Sequence, residues 1–283
     1  MSGQDRLPFV QFELAGTVGL EQGRYLGSDP ERVLVVSVAG APTPPRRRLG
    51  RVKPKDADRD ADPPTVPLTT LTVVRPDPLG DEPGAERWLG ELRDDPDATA
   101  EEVRDAVVFV NGALHAHRAA VLDPDLADVT APHALAVRIG FGSGDELADG
   151  RFTRAFEVPR SARRRRGEVL RPQERVAGVL GGRETVAACE LLVLRARSDL
   201  DAGRGREAAL QLRVGLEALL AEREVLAAPG QDEDLAVLAE RRSITGQAAN
   251  EALGGELGDG RMAEVTETLR LCERVLRRRR ALG

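Results

Sequence analysis

Two apolar stripes either side of one glycine turn constrain this chain more than any other feature. Within Arg183–Glu224, residues Val186, Cys189, Val193, Ala196 and Leu200 recur at spacings of three and four, which stacks them on one helical face. Leu191, Leu192 and Leu194 widen that stripe, so this helix is expected to be contacted on more than one side. A turn follows at Asp201–Gly205, where Gly203 can take the positive φ that ends a helix. Beyond it, Ala209, Leu212, Leu216 and Leu219 line a second helix. Burying a leucine is worth roughly 1.5–3 kcal/mol. The two helices therefore gain by pairing, and the stretch reads as a helical hairpin.

Shorter helices are expected at Glu233–Arg242 and Gln247–Leu253, and a long one over Met262–Leu276. On the long helix Val265, Leu269, Leu271, Cys272, Val275 and Leu276 are apolar. Arg277–Arg280 then place cations in the last turn, where they complement the helix dipole. A further helix opens at Pro172 and runs to Leu180, closed by Gly181–Gly182. A faint echo at an offset of 57 residues matches Gly203–Arg204 to Gly260–Arg261, Leu212–Arg213 to Leu269–Arg270, and Leu219 to Leu276. With 283 residues there is room for two domains. Aromatic residues make up only 3 % of the chain, so the cores must be built of Leu, Val and Ala.

The front half changes period. Pro8–Leu14 alternates apolar and polar as a half-buried strand does. Gly23–Leu26 is a short second strand, and the β-branched run of Glu31–Ala39 suits a strand buried on both faces. The pattern then breaks over 41–67, with seven prolines, Arg46–Arg48 and alternating charge. Such composition cannot offset its ordering entropy and reads as a disordered insertion. Leu68–Arg75 returns as a strand, so the insertion is expected to join neighbouring strands. Ala85–Leu92 reads as a short helix carrying Trp88. A longer one follows, capped by Thr99 with Glu102 in a capping-box spacing. Val103, Val107, Val110, Leu114, His117 and Val121 form its stripe, and Asp123–Pro124 ends it. Ala134–Phe141 and Phe152–Val158 close the half as strands. The order gives an α+β N-terminal domain, a small antiparallel sheet with a packed helix, followed by an all-α helical-hairpin C-terminal domain. The expected bounds are 1–159 and 172–283, with an arginine-rich joint over 160–171.

At the hairpin, Leu192, Ala196, Gly203, Ala208 and Leu212 stand where tetratricopeptide units place small and large packing residues. The stretch resembles one such unit in packing style, although Arg195 and Asp199 occupy positions where that family has Leu and an aromatic. The whole chain also resembles uncharacterised proteins of high-GC bacteria, and neither likeness brings binding residues with it.

Candidate chemistry is sparse. His115 and His117 are two residues apart, so a regular helix points them in nearly opposite directions and they cannot share a metal. His133 lies in the following loop. No serine sits in a GxSxG context, and neither cysteine has a nearby histidine in sequence, so nucleophilic catalysis has no visible support. The segment Gly140–Gly150 is the most suggestive: Gly142, Ser143 and Gly144 could turn backbone amides toward an anion. Asp145, Glu146 and Asp149 could instead hold a divalent cation. A glycine-rich hairpin turn explains the same residues through positive φ. The arginine clusters, above all Arg163, Arg164, Arg165 and Arg166, could neutralise nucleic-acid phosphates, yet no aromatic residues stand beside them to stack on bases. Residues 1–160 carry 19 Lys/Arg against 27 Asp/Glu, a balance of −8, and the remainder carries 22 against 20, or +2. Neither half is basic enough to imply nucleic acid from bulk charge.

The N-terminus lacks a basic region followed by an apolar run, which argues against a secretory signal, and no window approaches a membrane span. Cys189 and Cys272 read as buried reduced thiols. The expectation is a cytoplasmic, non-enzymatic interaction protein without a cofactor, meeting a protein partner or a second copy through its helical domain. A nucleic-acid binder using the arginines and a small-ligand protein using Gly140–Gly150 are the alternatives.

Overall fold

The computed structural model describes residues 5–28, 31–40, 66–159, 172–222 and 230–282. Nearly all of the expected insertion at 41–67, and the whole of the joint at 160–171 with Arg163–Arg166, lie outside the described residues. The chain divides into two compact units, Met1–Arg160 and Ser161–Gly283. The fold is an antiparallel sheet with helices, followed by an all-helical unit.

Among the described residues of the first unit six strands pair antiparallel. They are β1 (Leu7–Ala15), β2 (Gly23–Ser28), β3 (Glu31–Ala39), β4 (Leu68–Val74), β5 (Ala136–Gly142) and β6 (Arg154–Glu157). The order across the sheet is β2-β3-β4-β1-β5-β6. The first strand thus lies inside, between β4 and β5, while β3 and β4 are neighbours, as the position of the insertion implied. Alternation decides the faces. Val10, Phe12 and Leu14 of β1 join one core with Val103, Val110 and Leu114 of the covering helix.

Two helices supply that cover, α1 (Glu82–Asp94) and α2 (Pro96–Val121). Here the structure corrects the expected cap. Asp95, not Thr99, caps α2: its carboxylate accepts from Asp97 N and Ala98 N at 3.0 Å each, with Pro96 opening the helix. An aspartate followed by proline is the stronger start signal, because proline has no amide to satisfy and its φ is already helical. Thr99 lies inside α2 and donates its hydroxyl to Leu92 O, while Glu102 pairs with Arg75 at 2.9 Å. The far end stops at Leu122, which takes φ 54°.

The second unit comprises α4 (Pro172–Leu180), α5 (Ala188–Asp201), α6 (Gly205–Ala221), α7 (Asp232–Glu240), α8 (Arg242–Gly254) and α9 (Asp259–Leu282). Helices α5 and α6 form the expected hairpin. Gly203 turns at φ 74°, and the Arg204 guanidinium holds Asp199 at 2.8 Å. Gly215 lets the two axes approach, since a β-carbon there would lie 3.3 Å from Leu192 Cβ. Helix α8 packs on α6, and α9 packs against α5, α6, α7 and α8, so the unit closes round one core instead of extending as a stack. Leu212 and Leu269, matched by the sequence echo, are both fully buried in that core.

Candidate interaction face

The Gly142–Asp149 segment is folded by its own residues. Ser143 caps a one-turn helix, α3 (Gly144–Ala148), and Glu146 reaches back in a capping box. The Glu146 carboxylate accepts from Ser143 N at 2.9 Å, Ser143 Oγ at 3.1 Å and Thr153 Oγ1 at 2.7 Å. The Ser143 amide, the Thr153 and Ser143 hydroxyls and the nearby Arg6 guanidinium hold its pKa below the ordinary carboxyl value. Asp149 pairs with Arg151 at 3.0 Å. Leu147 is buried against Phe9 and Val74 on the sheet face opposite α1 and α2.

Gly140 and Gly142 have packing reasons rather than the expected turn conformation. A β-carbon on Gly140 would lie 2.1 Å from Arg154 O, and one on Gly142 would lie 3.2 Å from Leu147. Within the segment only Gly150 has positive φ. Asp145, Glu146 and Asp149 are not gathered: among the described residues no three His, Cys, Asp or Glu side chains are placed to hold a metal ion. His115 and His117 ride on α2, and His133 ends a single 3-10 turn, Ala131–His133.

Two hollows stand out among the described residues. One, between the sheet and α2, is lined by Arg32, Arg75, Trp88, Glu102 and Asp105 and has about 10 Å³ free, room for about one water. Its arginines are engaged: Arg75 lies over the Trp88 ring and Arg32 over Phe109, each at 5.9 Å. The other is a wide, shallow basin of about 590 Å³ on α9, bordered by Arg197, Arg270, Arg274, Arg277, Glu267 and Glu273. Arg197 grips Glu273 through two bonds of 2.6 and 3.1 Å. Arg277 stands 3.8 Å from Glu273, and Arg278 stands 3.8 Å from Asp234. These cations already have carboxylate partners within the unit, which leaves less charge for phosphates.

A buried carboxylate that the sequence did not flag lies at the start of α5. Glu190 is 1 % exposed and takes Arg175 at 2.6 Å, with Arg280 at 3.3 Å. Its only sequence signal was an acid immediately after Cys189 in an apolar stripe. Both cysteines are free and buried, and desolvation first of all pushes each thiol up to about 12.

The outward side of α5 leaves apolar side chains in water. Its inner positions Cys189, Val193 and Ala196 are shut into the core. Leu191 and Leu194 face out, 50 % and 56 % exposed, and Val186 just ahead of the helix is 44 % exposed. Leu194 precedes Arg197 by three residues, roughly 60° round the helix, and so borders the side that meets α9. The widened stripe thus divides: α6 and α9 cover part of it, and two leucines remain in water.

No known family, curated protein or solved structure matches the chain. Among the described residues no helix is long and apolar enough to cross a membrane.

Proposed function

We propose that this chain is a non-enzymatic interaction protein of the cytoplasm whose helical unit docks a protein partner or a second copy through the outer face of α5. The exposed pair Leu191 and Leu194 carries this reading. Leucines three apart on a helix are adjacent, and covering the exposed half of each would contribute roughly 1 kcal/mol apiece. The described part of the front unit supports it by showing what its polar groups already do: Ser143, Glu146 and Thr153 hold a loop, and Arg75 and Glu102 pair with each other. Two free, buried thiols fit a reducing compartment.

The test is sedimentation velocity and cross-linking of the full chain beside Leu191→Glu/Leu194→Glu. Association that the double substitution abolishes, with the helical content intact, supports the proposal. Association unaffected by it would move the interface elsewhere, and a strict monomer without cross-links at either leucine would remove it.

A further inference from the structure

Among the described helices of its unit, α4 alone adds nothing to the apolar core shared by α5–α9. Of its nine residues only Gly178 is buried, while Val176 and Leu180 are 52 % and 83 % exposed. What ties it to α5 is charge. The Arg175 guanidinium donates to Glu190 at 2.6 Å, and Glu184 in the connecting segment stands 4.0 Å from the same arginine. Beyond α4 the chain turns at Gly181–Gly182, with Gly182 at φ 68°, a conformation that suits glycine and makes a ready pivot.

We propose that α4 is a releasable strap, clasped to the bundle by the Arg175–Glu190 pair and free to leave without opening the α5–α9 core. Glu190 does not depend on the strap alone. It keeps the Ala187 amide at 3.3 Å and the Arg280 guanidinium at 3.3 Å when Arg175 departs. The strap itself buries no side chain in the bundle, Gly178 being its one buried residue, and a helix this short is marginal in water by itself. Arg175 is 23 % exposed, so salt reaches the clasp and weakens it. Release leaves the Glu190 carboxylate, next in sequence to Leu191, with one guanidinium beside it in place of two. The strap stands whether or not Leu191 and Leu194 bind a partner, because its test reads the motion of α4.

Hydrogen exchange on the full chain provides that test. Raising salt from about 0.05 M to about 1 M should speed exchange of the α4 amides by about tenfold and leave α6 unchanged. Arg175→Met should reproduce the effect at low salt. Cys189 and Cys272 serve as the control for global opening, and both should stay unlabelled by a thiol reagent in each condition. The proposal is overturned if α4 is as protected as α6 at both salt concentrations, or if thiol labelling rises together with α4 exchange. Should Arg175→Met fail to fold, the salt series on the unaltered chain decides alone.

Discussion

Asn111 grips the backbone of Val129 at both ends of its amide: Nδ2 donates to Val129 O at 2.9 Å, and Oδ1 accepts from Val129 N at 2.8 Å. Asn111 is 2 % exposed, so these two bonds fasten the chain that returns from α2 toward β5 inside a dry core. Replacing it with alanine strands a buried amide and a buried carbonyl. Leaving such groups unpaired costs about 1–3 kcal/mol each, and the loss should be about 2–6 kcal/mol in chemical denaturation. Asn111→Asp should cost at least as much, because it loses the donor, sets an acceptor oxygen against the Val129 carbonyl and buries a carboxyl group.

Gly140 tolerates no side chain. A β-carbon there would meet Arg154 O at 2.1 Å, and backbone of a paired strand cannot give way as a flexible side chain can. Gly140→Ala should therefore cost at least about 1–3 kcal/mol, with amide exchange in β6 accelerated before that in β1.

Acid should loosen the α3–β6 connection ahead of the sheet. The folded pKa of Glu146 is depressed, chiefly by the Ser143 amide. Its contribution is therefore full above the ordinary carboxyl value of about 4.3 and is lost as pH falls through the lower folded value. Exchange of residues 143–153 should rise over that acidic window. Glu146→Gln should remove this pH dependence, and Ser143→Ala should cost about 1 kcal/mol as a lost helix cap.

Neither thiol should react in the native protein. Burial pushes both cysteines up to about 12, so near pH 8 the nucleophilic thiolate is scarce as well as inaccessible. A thiol-specific reagent should count no cysteines in the folded chain and two after denaturation.

How much of this was legible in the residues depended on whether a signal was local and periodic. The α5–α6 hairpin and its Gly203 turn follow from apolar spacing, as do the strands at Leu7–Ala15 and Glu31–Ala39. The α2 cap was misplaced by four residues because Asp95 and Thr99 both begin plausible capping patterns, and only the Asp95–Pro96 step also meets the backbone requirement of the first turn. The Gly140–Gly150 loop was legible in composition but not in cause. Its Gly140 answers a neighbouring strand, and its Glu146 answers Thr153, across contacts that no local pattern encodes. The Arg175–Glu190 clasp was hidden for the same reason, since fifteen residues and a turn separate its partners. For the outer face of α5, periodicity supplied a stripe too wide for one neighbour; the coordinates then divided it into covered positions and the exposed Leu191 and Leu194.

That exposed pair is tested most directly by placing a photo-crosslinking side chain at Leu194 of the full chain in its native cell, with a control at exposed Glu233 on α7. The proposed docking face predicts one discrete adduct, with a second copy or with one protein, that Leu191→Glu abolishes and the control does not form. No adduct, or the same diffuse products from both positions, would contradict it.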